Sequence, residues 1–114
     1  MKLILAIVRD FKVTEVVDAV EQDATFPGMS VLDCRGFGRE KAAPHEHASQ
    51  EELTDFVDRK ALIVAVPDET AGAIARRIEQ LAHTGRPGDG KVFILPLEAA
   101  VRIATGERGE AALE

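Results

Sequence analysis

Apolar residues along this chain change their spacing several times, and each change marks an element. Leu3-Ile4-Leu5-Ala6-Ile7-Val8 is an unbroken apolar run of strand length, ended by Arg9-Asp10, and reads as a buried strand. From Lys12 the period lengthens: Val13, Val16, Val17 and Val20 fall at i, i+3, i+4 and i+7, so one face of a helix is apolar. Pro27-Gly28 is turn chemistry, and Met29–Phe37 alternates well enough for a second strand running into Gly36-Phe37-Gly38. From Arg39 to Asp58 no dependable period exists, which predicts a long loop with a helical turn near Glu51–Phe56. Ala61–Val66 is a third apolar run of strand length.

Pro67-Asp68 then opens a helix in which Asp68 is the expected N-cap, and Ala71, Ile74, Ala75, Ile78, Leu81 and Ala82 line its apolar face. The glycine-rich loop Thr84–Lys91 leads into a fourth strand, Val92–Leu97, followed by a short helical stretch around Glu98–Ile103 and a polar tail. The order β-α-β-loop-β-α-β is that of an α+β, ferredoxin-like domain: a four-stranded antiparallel sheet with both helices on one face. The first, third and fourth strands read as apolar on both sides. The open face therefore calls for a cover, and a second copy of the chain in closed cyclic symmetry is the expected one.

At 114 residues there is room for one domain, and 46% hydrophobic with 30% charged residues describes an ordinary globular chain. With five Phe and no Trp or Tyr the core must be aliphatic, and a base-stacking surface has little to work with. The net charge of −6 likewise argues against nucleic acid as a partner. The single Cys34 cannot form an internal disulfide, reads as a partly buried small hydrophobe, and fits a reducing cytoplasm. Leu3–Val8 is too short for a membrane span or a signal-peptide core, so no direct membrane insertion is expected.

The densest chemistry lies in Thr84-Gly85-Arg86-Pro87-Gly88-Asp89-Gly90-Lys91. Gly85 to Lys91 matches the G-x-x-x-x-G-K spacing of phosphate-cradling loops: glycine lets backbone N–H groups approach an anion, and lysine adds a point charge. Val92 stands where the metal-binding hydroxyl would be, and the loop precedes a strand rather than opening a helix. Such a loop reads as holding phosphate without hydrolysing it. No nucleophile–base pair or carboxylate dyad is placed for catalysis, so the chain reads as a non-enzyme. His45-Glu46-His47 could ligate zinc or copper, although a solvated loop is the simpler reading. Glu46, Glu51, Glu52, Asp55 and Asp58 make the same loop acidic, an arm suited to a basic partner surface.

Several segments in order resemble the PII signal-transduction proteins over nearly the whole chain. They are Met1–Lys12, Gly28-Met29-Ser30-Val31, Gly36-Phe37-Gly38-Arg39 with Lys41, Thr84-Gly85 through Gly88-Asp89-Gly90-Lys91, Val101-Arg102-Ile103, and Thr105–Glu110. The resemblance implies one domain, 1–114, with a T-loop at about 38–57, a B-loop at 84–91 and a C-terminal segment at 98–114. It implies a homotrimer that binds ATP, ADP or AMP, with Mg²⁺, in clefts between subunits. A T-loop whose shape follows the ligand would control a target membrane transporter or metabolic enzyme. Transferred to this sequence, Gly88, Asp89, Gly90 and Lys91 would hold phosphates, and Gly36, Phe37, Gly38 and Arg39 would line the cleft. Ser30 and Ala65 would lie near the base, and Arg102 would reach the phosphates from the neighbouring subunit. Glu40, Lys41 and Arg59 would meet a second effector.

Some positions depart from the family pattern. Glu40 replaces a glutamine that helps hold Mg²⁺ and 2-oxoglutarate; a carboxylate could still ligate a hard cation but would repel a dianionic keto acid. Arg59 replaces a lysine, Ile63 a glutamate near the adenine, and Ala104 a second basic residue of the C-terminal segment. Glu52 stands at the site of the modified tyrosine, which rules that modification out. These departures shift the expectation toward ADP or AMP, with a second effector other than 2-oxoglutarate, bicarbonate being one candidate. The alternatives are a nitrogen regulator sensing ATP with 2-oxoglutarate, and a metal-responsive protein using His45 and His47.

Overall fold

The computed structural model describes residues 1–23, 26–37 and 56–114. β1 (Lys2–Val8) runs into a 3-10 turn, Asp10–Lys12, and then α1 (Val13–Val20). β2 (Ser30–Gly36) and β3 (Val57–Val66) follow, then α2 (Asp68–Ala82), β4 (Gly90–Pro96) and a closing 3-10 turn, Gly109–Leu113. The sheet order is β2-β3-β1-β4 with every neighbouring pair antiparallel, the split βαβ arrangement that the periodicity predicts.

Strand alternation divides the sheet's side chains between two faces. Ile4, Ala6 and Val8 of β1 and Leu62, Val64 and Val66 of β3 are all buried. They pack against Val16 and Val20 of α1 and Ala71, Ile74, Ala75, Ile78 and Ala82 of α2. Their neighbours on the other face, Leu3, Leu5, Ile7, Ile63 and Ala65, are only half-buried, and Phe93 and Leu95 of β4 are 45% and 41% exposed. The core therefore lies between the helices and one side of the sheet. The other side is an apolar surface that, among the described residues, only the terminal turn meets, at Leu3, Ile63 and Ala65.

Five sequence expectations need correction. Asp68 is the first helical residue of α2 and makes no cap; Pro67 occupies that position. The Asp68 carboxylate instead pairs with the Met1 amino group at 2.9 Å, and that bond holds it below its ordinary range. β4 begins at Gly90, so Gly90 and Lys91 belong to the strand, paired with Val8 and Ile7 of β1. Residues 98–103 are not helical. A stretch this short cannot sustain a helix without packing, and the chain folds back on itself, Val101 bridging Arg108 and the Arg102 N–H donating to the Glu107 carbonyl. Nor is the tail wholly polar: Leu113 is buried in the terminal turn. β3 also begins earlier than its apolar run, at Val57. The helical turn foreseen near Glu51–Phe56 falls largely outside the described residues.

Candidate functional site

Two cavities open on the uncovered face, at opposite ends of the strands. The first, about 580 Å³, is walled by Ile7, Gly36, Val57, Arg59, Lys91 and Phe93 from the strands and by Arg86, Gly88, Asp89 and Gly90 from the loop. It joins a hydrophobic floor to three cationic side chains, a lining suited to a ligand with an anionic end.

The loop that forms its wall is organised by a single carboxylate. Asp89 accepts hydrogen bonds from the Thr84 hydroxyl, from the Thr84 N–H at 2.7 Å, from the Gly85 N–H at 2.9 Å and from Arg9 Nε at 3.0 Å. With the Thr84 bonds contributing most, these donors hold Asp89 well below the usual carboxylate range. Its carboxylate is thus engaged within the loop, and only its backbone is left to meet an anion. Arg9 Nη2 also donates to the Pro87 carbonyl at 2.9 Å, and Arg59 Nη2 donates to the Gly88 carbonyl at 3.1 Å.

At Gly90 the backbone has φ +108°, and a Cβ would lie 1.7 Å from the Ile7 carbonyl oxygen. Only glycine lets the loop join β4 so close to β1. Beside it, Lys91 projects from the exposed edge strand into the cavity.

The second cavity, about 350 Å³, is lined by Leu3, Ser30, Ile63 and Ala65 of the strands, by the Pro27-Gly28-Met29 turn, and by Ala112 and Leu113 of the terminal turn. The Ser30 hydroxyl is the one polar side chain in that lining. It suits a flat, weakly polar group.

The residues expected to share one ligand therefore divide. Gly36, Gly88, Asp89, Gly90 and Lys91 come together at the first cavity, joined by Arg59, a residue expected at a second effector, whereas Ser30 and Ala65 lie at the second. Ser30 and Gly36 are six residues apart on one strand, about 20 Å. The apolar centre of the sheet lies between the two ends.

Arg102 belongs to neither cavity lining; its guanidinium meets Glu107 at 3.0 Å, with Nη2 buried and without a hydrogen-bond partner among the described residues. Phe37 meets Phe56 in a tilted pair, 5.2 Å between ring centroids, and Arg35 lies 5.6 Å from the Phe56 ring, so an aromatic pair closes the ends of β2 and β3. Gly38, Arg39, Glu40, Lys41, His45 and His47 lie outside the described residues. Among the described residues no cluster of His, Cys, Asp and Glu is arranged to hold a metal, and no helix is long and apolar enough to cross a membrane.

Sequence reading missed Arg9, Arg86, Ile7 and Phe93. Arg86 could have been counted with the loop that contains it. Arg9 could not, because 80 positions separate it from Asp89 and no spacing rule joins them.

Comparison with known proteins adds a consistent set of relatives. A family model described as nitrogen regulatory protein P-II matches residues 1–107. A nitrogen regulatory protein P-II of Azospirillum brasilense is 39% identical over 109 residues, covering 96% of each chain. One from Rhodobacter capsulatus is 38% identical over 113 residues, covering 99% of this chain and 100% of the relative. Among solved structures, the crystal structure of Arabidopsis thaliana PII bound to citrate superposes with a TM-score of 0.79 at 32% identity, covering 97% of this chain and 90% of that one.

Proposed function

This chain belongs to the nitrogen regulatory protein P-II family, and on that premise we propose that it is a regulator that binds an adenine nucleotide between the subunits of a homotrimer. The phosphates lie at the first cavity, against the Gly88–Gly90 backbone, Lys91 and Arg86. The base lies at the second cavity of a neighbouring copy, beside Ser30 and Ala65. The observation that carries this reading is the separation of the two cavities by about 20 Å of sheet on one chain. A base end and a phosphate end so placed serve one ligand when two copies bring their uncovered faces together. The half-buried and exposed apolar residues Leu3, Leu5, Ile63, Phe93 and Leu95 supply the contact.

Gly36, Phe37, Gly38 and Arg39 join the cleft to the T-loop, 38–57. Bound ligand biases that loop through differential contacts, and a target transporter or metabolic enzyme responds to the bias. The protein acts in the cytoplasm as a regulator, not a catalyst. Glu40, Lys41 and Arg59 meet a second small effector, with Mg²⁺ where the nucleotide carries it. Charge repulsion at Glu40 favours ADP or AMP, and an effector such as bicarbonate over 2-oxoglutarate.

A second reading, sensing of ATP with 2-oxoglutarate, is favoured by the relatives, which are named as nitrogen regulators. The solved relative is bound to citrate, another multiply charged carboxylate. Calorimetric titration of ATP, ADP and AMP, each with and without Mg²⁺, bicarbonate or 2-oxoglutarate, separates the two. Heat from 2-oxoglutarate only in the presence of Mg-ATP selects the second reading. Failure of every adenine nucleotide to bind, or a single-chain mass in sedimentation, overturns the proposal.

A further inference from the structure

We infer that Arg9, at the end of β1, is the positioning residue for phosphate binding, acting through Asp89 and the Pro87 carbonyl rather than by touching the ligand. The inference rests on the nucleotide reading above. Arg9 and Asp89 are the least exposed charged pair at the loop, with side chains 18% and 20% exposed. One guanidinium spans both ends of the loop's inner wall, Nε to Asp89 Oδ1 and Nη2 to the Pro87 oxygen. A lysine, with one nitrogen, could not make both bonds in that fork geometry.

The consequence for an anion follows from peptide planarity. No peptide bond in the described residues is cis, so each N–H points opposite to the carbonyl of the residue before it. Arg9 draws in the Pro87 carbonyl and Arg59 the Gly88 carbonyl. The Gly88 N–H is thereby turned away from the Arg9 guanidinium, and the Asp89 N–H from that of Arg59. Asp89, tied to Thr84 and Gly85, fixes the opposite end of the loop. Two successive N–H groups held in fixed directions are the elements of an anion nest. In this geometry Arg9 commits Nε and Nη2 to the loop and acts on the anion by orienting the loop's N–H groups.

Two measurements test this on the assembled protein: amide hydrogen exchange across residues 84–90 without nucleotide, and titration of AMP, ADP and ATP. The variants are Arg9→Met, Arg9→Lys, Asp89→Asn and the Arg9→Met/Asp89→Asn double. Losing charge-assisted bonds of this kind should speed exchange at the loop amides of Arg9→Met about tenfold or more, with sheet amides unchanged. Nucleotide affinity should fall about 10- to 100-fold for ATP and progressively less for ADP and AMP. Arg9→Lys should recover part of the loss, and the double variant should bind no worse than its weaker parent.

Equal losses for AMP, ADP and ATP would mean a general packing role and overturn the inference. Additive losses in the double variant would mean that Arg9 meets the phosphates itself, and would also overturn it. If Arg9→Met does not fold, Arg9→Lys against the parent protein carries the same comparison. Should the unaltered protein bind no nucleotide, the nucleotide reading fails. The exchange measurement then decides separately whether Arg9 sets the loop, and unchanged exchange refutes it.

Discussion

The two faces of the sheet are built from alternate residues of the same strands, yet they have opposite fates. On one, Ile4, Ala6, Val8, Leu62, Val64 and Val66 are sealed beneath two helices. On the other, Leu3, Leu5, Ile7, Ile63, Phe93 and Leu95 are just as apolar but lie half-buried or exposed, and both cavities open among them. The covered face stabilises the single chain. The open face costs the single chain exposed apolar surface, and it is where charged and glycine-rich chemistry gathers at one end. A face left apolar beside a cationic corner has a use only when something covers it. The division between the sealed face and the open one thus follows the pleat of the strands.

The largest expected effect lies on the covered face. Ile78→Ala removes a fully buried side chain and should cost about 2–5 kcal/mol in urea unfolding. A smaller loss would mean that the core is not where the stability resides. On the open face, Phe93→Asp should leave far-UV circular dichroism unchanged while sedimentation shifts toward the single-chain mass. Retained assembly would break the contrast between the faces. Within the cationic corner, Lys91→Ala should weaken ATP about tenfold with little change in unfolding, since its side chain projects from an edge strand.

The smallest effect is the response to acid. Asp89 ordinarily titrates near 3.8 but is held lower in the folded loop, so the unfolded loop takes up its proton first. The contribution is therefore complete above that value and lost as the pH falls below it. The Thr84 and Gly85 amide signals should stay constant from pH 7 to about 5 and move below 3.8. In Asp89→Asn that acid transition should be missing, which separates it from the Asp68 carboxylate, also held low, at the Met1 amino group.

Much of this was legible from local pattern. The valines of α1, the alanine and isoleucine stripe of α2, and the apolar runs of β1 and β3 each announce themselves within one element, because helix and strand periods are local. The glycine-rich loop was legible for the same reason, its residues being consecutive. Where pattern failed, a partner distant in sequence decided the outcome. Gly90 and Lys91 read as loop because they complete the phosphate-cradling spacing that starts at Gly85, but pairing with Val8 and Ile7 draws them into β4. Residues 98–103 read as a short helix, but the segment closes on Arg108 instead.

What the sequence by itself determined is the order of elements, the aliphatic core, the phosphate-cradling composition of 84–91 and the family to which the chain belongs. What only the tertiary structure decided is geometry between distant segments. Ser30 and Ala65 lie at one end of the face and Gly88, Gly90 and Lys91 at the other, Asp89 braces its own loop, and Arg9 reaches across 80 positions to bond to that loop. The physical reason is that periodicity and turn chemistry act over a few residues. A carbonyl's direction or a guanidinium's partner is set by which strands lie side by side, and that is known only once the sheet has formed.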